Sequence, residues 1–129
     1  MVLTAGKPGV HPETLQKIPN FPYWDLIFTD ESTKRDSSAA AIAVCGLLQY
    51  LNELPLLDSR RKVYEKAAFC IVNSLIDHYL VDANESNGLL KHAVYSIPEA
   101  KGIDECCIWG DYFFLESLMR LTHSWRCYW

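Results

Sequence analysis

The chain has 129 residues, half of them apolar and 12% aromatic, which excludes disorder of the whole chain and supplies material for a packed core. A net charge of -4 excludes a general attraction to nucleic acid or anionic membrane. The longest apolar run, around residues 39–48, is too short to span a bilayer, and no signal peptide is visible, so a soluble, cytoplasmic protein is expected.

Residues 1–35 form an irregular lead-in to what reads as a single unit over 1–129. Pro8, Pro12, Pro19 and Pro22, with Gly6 and Gly9, rule out a continuous helix there. A single turn around 12–17 is the most that segment supports.

The first clear helix begins at Asp36-Ser37, either of which can accept from free first-turn amides. Its stretch of small residues, 39–43, suits close packing on several neighbours, and it ends before Pro55. A second helix is expected over about 58–80, with Val63, Ala67, Cys70, Ile71, Leu75 and Tyr79 as its apolar stripe. Arg60, Arg61, Lys62, Glu65, Lys66 and Asp77 are expected to face water. The polar run 82–88 reads as a turn, and 89–96 as a brief extended segment. A last helix is expected over about 110–123, with Phe113, Leu115, Leu118, Met119 and Leu121 apolar. Trp125, Tyr128 and Trp129 close the chain as an aromatic tail.

Five cysteines leave at least one unpaired. Cys45 and Cys70 fall within apolar helical patterns and are expected to be buried thiols. Cys106 and Cys107 are adjacent, a spacing unlike that of zinc sites. Reduced structural cysteines are therefore expected, with no metal site and no cofactor, since no glycine-rich phosphate loop appears.

Four stretches occur in an order that resembles the unsaturated glucuronyl hydrolases, of the glycoside hydrolase family 88 type. They are FPYWD at 21–25, RDSSAAAIAVCGLL at 35–48, GLLKHAVYS at 88–96 and GIDECCIWGDYFFLESLMRL at 102–121. The resemblance implies an all-α fold, the C-terminal part of an (α/α)6 barrel of the six-hairpin glycosidase type. It implies release of 4,5-unsaturated uronic acid from lyase-generated oligosaccharides. An aspartic acid protonates the vinyl ether and water adds across the double bond. The resulting hemiketal then rearranges with loss of the glycosidic bond.

The essential aspartates of that family lie upstream of the matched stretches, so no residue of this chain is assigned a catalytic role. An isolated chain of this kind is expected to be inactive. It is also expected to expose apolar surface and to be poorly soluble, loosely packed or self-associating.

The resemblance places His92, Tyr95 and Ser96 near the sugar pocket, with Tyr95 stacking on a sugar face and Ser96 reaching a substituent. Trp109 and Trp24 are further aromatic platforms, although tryptophans that anchor helix ends are common. Some members that act on sulfated substrates carry Ser-x-x-Ser-x-Lys here. This chain has Ser96 and Lys101 but Glu99 at the second Ser position, a departure that counts against sulfate recognition. Asp104, Glu105 and Asp111 form a carboxylate cluster, in which Asp111 reads as support for the last helix start. Asp25 and Asp36 read as loop and cap residues, and His78 and His123 as surface residues. Two readings from other classes stand beside the hydrolase one: a non-catalytic carbohydrate-binding module, and a small helical dimerisation module.

Overall fold

A computed structural model describes residues 22–25 and 33–126. The turn expected around 12–17 and the tail residues Tyr128 and Trp129 lie outside the described residues.

Three helices and one β-hairpin make up the described chain. Helix α1 spans Ser37–Glu53, α2 spans Arg61–His78 and α3 spans Ile108–Thr122. Strands β1 (Ala93–Ser96) and β2 (Lys101–Glu105) pair antiparallel between α2 and α3 in sequence. The three expected helices are present, and the extended segment within 89–96 is β1. Its partner β2 falls in a stretch for which the sequence pattern gives no expectation of a strand.

Several helix ends have an identifiable cause. Asp36 sits in extended conformation before α1, and its carboxylate accepts from the Ser38 amide, satisfying one of the orphan first-turn donors. The helix stops at Leu54, which is extended ahead of Pro55 as proline requires of the preceding residue. Arg61 reaches back from α2 to donate to the backbone carbonyls of Leu51 and Leu54. Arg61 therefore serves the C-terminus of α1 instead of facing water as the sequence pattern suggested. Just before α2, side-chain hydrogen bonds from Arg60 hold the Asp58 carboxyl at about 2, well below its ordinary value. At α3, Cys107 is extended and its sulfur accepts from the Gly110 amide at 3.4 Å.

Helix α1 packs against both α2 and α3. One part of the core joins Ala40, Ala41, Leu75, Tyr79, Leu90 and Phe114. A second joins Val44, Ala68 and Val72, and the half-buried Ile71 and Leu118 touch both. The small α1 residues let the neighbours approach closely. At Gly110, an added Cβ would lie 3.1 Å from the Ser38 Cβ and 3.1 Å from the Cys107 sulfur.

The buried stripe of α2 differs from the expected one. Ala68, Val72, Leu75 and Tyr79 are buried, whereas Val63 and Cys70 are exposed. Leu75 and Tyr79 are buried as expected, Ala67 and Ile71 are half-buried, and Ala68 and Val72 stand in the core where Val63 and Cys70 were expected. Cys70 is thus not a core thiol, while Cys45 is. His78 is half-buried with a buried Nδ1, not a surface residue; His123 is exposed as expected. Among the described residues, no helix is long and apolar enough to cross a membrane.

Core and loop leucines should differ sharply. Leu75 is fully buried and Leu57 is 98% exposed. Leu75→Ala should cost about 2–5 kcal/mol in urea unfolding, whereas Leu57→Ala should stay within about 0.5 kcal/mol. Equal costs would show that the described core is not what holds the chain together.

Candidate functional site

The residues singled out from the sequence converge on one end of the helical layer, where the N-termini of α1 and α3 meet the hairpin. Asp36 organises this end. Its Oδ1 accepts from the Ser38 amide at 2.9 Å, the Ser38 hydroxyl at 2.7 Å and the Val94 amide at 3.2 Å. The amide of Ser37 donates to the carbonyl of His92 at 3.2 Å. Strand β1 is thereby fastened to the first turn of α1, with Ala93 and Val94 buried beneath it.

From Ser38 the chain of contacts continues outward. Trp109 Nε1 donates to the Ser38 hydroxyl at 3.2 Å. The Trp109 ring lies 5.7 Å from the Tyr95 ring, tilted at 51°. Tyr95 is 59% exposed and Trp109 37%, so the pair forms an accessible aromatic wall held by polar bonds at its base. Trp109 thus combines both sequence readings, as an anchored helix-end tryptophan that keeps part of its ring in the open. Gly102 stands opposite Tyr95 with φ +52, and a Cβ there would come within 2.9 Å of the Tyr95 Cβ. Glycine is required at that position on both conformational and steric grounds.

His92 and Asp104 flank the hairpin base, both at positive φ, an uncommon and strained conformation for such residues. His92 Nδ1 is hydrogen-bonded to Asp104, and Lys34 Nζ donates to the same carboxylate at 2.7 Å. The His92 ring also packs edge-on against Tyr79 with centroids 5.8 Å apart. Partial burial by itself would raise the Asp104 carboxyl, but the hydrogen bonds from Lys34 and His92 prevail and hold it below its ordinary value. Asp104 is a latch in the frame, a role the sequence did not disclose because Lys34 lies 70 positions away.

The tip carries the remaining candidates. Ser96 Oγ accepts from the Glu99 amide at 3.4 Å, and the Glu99 carboxylate pairs with Lys101 Nζ at 3.0 Å. Asp111 does lie in the first turn of α3, and its Oδ1 also accepts from the Leu90 amide at 2.9 Å. The three carboxylates of the cluster therefore diverge: Asp104 and Asp111 are spent on structural partners, and Glu105 is exposed on β2. Trp24 is half-buried with its amide bonded to the carbonyl of Lys34, the residue whose Nζ holds Asp104. No cluster of metal-ligating side chains occurs among the described residues. A shallow groove beside the hairpin, lined by Glu85, Lys91, Asp104, Glu105 and Cys106, is predominantly acidic and unsuited to an anionic sugar.

No protein-family model matches the chain. Comparison with individual proteins is informative. The chain is 46% identical over 125 residues to an unsaturated chondroitin disaccharide hydrolase of Streptococcus pneumoniae, covering 94% of this chain and 32% of that protein. A crystal structure of a Streptococcus agalactiae unsaturated glucuronyl hydrolase mutant, solved with dGlcA-GalNAc6S, superposes with a TM-score of 0.78 at 45% identity. It covers 84% of this chain and 29% of the other. The unsaturated glucuronyl hydrolase of Bacillus sp. GL1 gives a TM-score of 0.71 at 36% identity, over 85% of this chain and 30% of that one. The chain therefore spans about a third of the length of the relatives it matches and corresponds to their C-terminal part. Its helices are part of a six-hairpin glycosidase fold.

Two substitutions probe the frame. Asp36→Ala should lower stability by about 0.5–2 kcal/mol through loss of the cap and should also alter Trp109 fluorescence; a cap-only role would leave the emission unchanged. For Asp104 the folded value is depressed, so its contribution is present above the unfolded carboxylate range near about 4 and fades as pH falls through the folded value. The stability gap between parent and Asp104→Asn should close on acidification below about pH 4. Because the group is partly exposed, the gap should also shrink with added salt.

Proposed function

We propose, from the premise that this chain is a homologue of the C-terminal part of the unsaturated glucuronyl hydrolases, that it builds the substrate-facing wall of such an enzyme. The whole enzyme would release 4,5-unsaturated uronic acid from oligosaccharides left by polysaccharide lyases. In that reaction a carboxylic acid protonates the vinyl ether and water adds across the double bond. The hemiketal so formed opens and the glycosidic bond breaks. The acid would come from the upstream region, because every carboxylate at this site is bonded within the frame or carried on the outside of the hairpin. The 129-residue chain is thus non-catalytic alone. A cytoplasmic location, with reduced thiols at Cys45 and Cys107, belongs to the same reading.

The observation that carries this proposal is the tilted Tyr95–Trp109 pair, open to solvent yet pinned at its base through Ser38 and Asp36. Apolar faces of sugar rings pack on such aromatic surfaces, and a rigid platform binds without an ordering penalty. Ser96, beside Tyr95 on β1, would reach a ring substituent. His92, engaged through Nδ1, would offer its second ring nitrogen.

Glu99 bears on which lyase product is taken. It stands where sulfate-handling members have serine, and it neutralises Lys101. A sulfate approaching this tip would meet a carboxylate instead of a hydroxyl and an unpaired ammonium. An unsulfated unsaturated disaccharide is the substrate this tip favours.

The test uses a full-length enzyme in which this chain forms the C-terminal third, followed by loss of the ultraviolet absorbance of the C4–C5 double bond. Tyr95→Ala should lower kcat/KM by about 10-fold, equivalent to about 1.4 kcal/mol of lost binding. Glu99→Ser should improve turnover of a 6-sulfated disaccharide relative to its unsulfated counterpart. An unchanged preference would remove Glu99 from any role in selection, and an unaltered Tyr95→Ala enzyme would discard the aromatic wall.

A further inference from the structure

The base of the hairpin holds two strained residues against each other. The strand register runs from Val94 opposite Ile103 to Ala93 opposite Glu105, which leaves Asp104 as the extra residue of a bulge on β2. Bulges re-aim a side chain and recur beside functional sites. Asp104 has φ 67, and His92, whose ring its carboxylate meets, has φ 66. Neither is glycine, so each conformation costs free energy that a plain turn would avoid. That strain brings a carboxylate to one nitrogen of an imidazole while the His92 side chain stays 26% exposed. Partial burial works against ionisation of Asp104, but the bonds from Lys34 and His92 prevail, so its oxygens only accept. The proton of the shared bond therefore sits on Nδ1, and in a neutral ring Nε2 keeps its lone pair. Tyr79, packed edge-on at 85° with centroids 5.8 Å apart, opposes a ring flip that would exchange Nδ1 for a carbon.

We infer that Asp104 and Lys34 are positioning residues that fix His92 as a hydrogen-bond acceptor, so that this corner of the site selects a free sugar hydroxyl. This rests on reading this end of the molecule as the sugar-facing wall. A hydroxyl donates to Nε2 and can still accept elsewhere. A sulfate ester or a methyl ether brings only acceptors against the lone pair, and a deoxy position leaves it unfilled. Specificity then comes from what the site refuses, since a polar group left without its partner penalises the wrong ligand. His92 precedes β1 and Ser96 ends it, about 13 Å away at about 3.3 Å per residue. The hydroxyl read at the base is therefore a different position from the substituent that meets Ser96 and Glu99 at the tip. One strand thus examines a ligand at two places, with an acceptor at one end and the Glu99–Lys101 pair at the other.

The experiment uses the full-length enzyme in which this chain forms the C-terminal third, as parent, Asp104→Asn and Lys34→Met. Asparagine tolerates positive φ, so the bulge is kept. Binding and turnover are measured with unsaturated disaccharides that each lack one hydroxyl or carry it as a methyl ether. At least one hydroxyl should matter to the parent, its loss lowering kcat/KM by about 10-fold and acting through KM more than kcat. The Asp104→Asn amide can turn its NH2 toward Nδ1, so dependence on that hydroxyl should vanish while the intact disaccharide becomes about 10-fold poorer. Lys34→Met should show the same pattern to a smaller degree. With isotope-labelled histidine, the His92 nuclear magnetic resonance signal is identified by its absence from His92→Gln. It should place the ring proton on Nδ1 in the parent and on Nε2 in Asp104→Asn. An Asp104→Asn enzyme that handles every disaccharide worse by one common factor would overturn the inference and leave Asp104 a latch only. So would a parent ring protonated on Nε2 or on both nitrogens. Binding that keeps the hydroxyl dependence, with no turnover of any disaccharide, would retain the inference and discard the proposed activity.

Discussion

The carboxylate of Asp36 is the interaction on which the described structure depends. One oxygen receives two groups from Ser38 and one from Val94. It starts α1, sets the distance between α1 and β1, and orients the hydroxyl that holds Trp109. A single acceptor that serves a helix, a strand and an aromatic side chain couples elements far apart in sequence. Charge-assisted bonds of this kind are stronger than neutral ones, and the residue is almost fully buried, so a replacement without an acceptor oxygen would leave several donors without a partner. Everything accessible at this end of the molecule rests on a buried anion.

The rest of the frame follows from close approach. Ala40 and Ala41 on α1 and Ala68 on α2 are fully buried, and Gly110 lies against Ser38 at the crossing with α3. Small side chains bring the backbones together, and larger ones such as Phe114, Leu75 and Tyr79 fill the gaps beside them. Burial of the Tyr79 hydroxyl pushes it up to about 12, so it stays neutral at any ordinary pH. Its edge contact with His92 then joins the core to the base of the hairpin without placing a second charge beside Asp104.

Much of this was legible in the sequence, and the remainder was hidden for specific reasons. The three helices announced themselves through capping residues, an alanine run and Pro55, all local signals. The family resemblance selected Tyr95, Ser96 and His92, and aromatic character selected Trp109; the fold brings Tyr95 and Trp109 into ring contact while His92 secures the hairpin base. The α2 stripe was misplaced because Val63 and Cys70 satisfy the same three- and four-residue spacing as Ala68 and Val72, and periodicity alone cannot separate adjoining faces. Arg61 read as a surface cation because its partners are backbone carbonyls, which leave no mark in a sequence. The same holds for Asp104 and Lys34, joined only by tertiary structure. Strand β2 was missed because Lys101-Gly102-Ile103-Asp104-Glu105 lacks the alternation of a half-buried strand, and its two positive-φ residues are visible only in three dimensions.

The hairpin has one more property that bears on how such a protein changes over time. Its hydrogen bonds described above to the rest of the chain lie toward its base: the Val94 amide on Asp36, the His92 carbonyl on the Ser37 amide, and Asp104 between Lys34 and His92. The turn at the other end is closed by its own bond from the Ala100 amide to the Ile97 carbonyl. Replacements at the exposed positions 98 and 99 therefore meet little resistance from folding, whereas those at the base meet a great deal. A scaffold arranged in this way can exchange the residues at its tip one at a time while its architecture stays fixed.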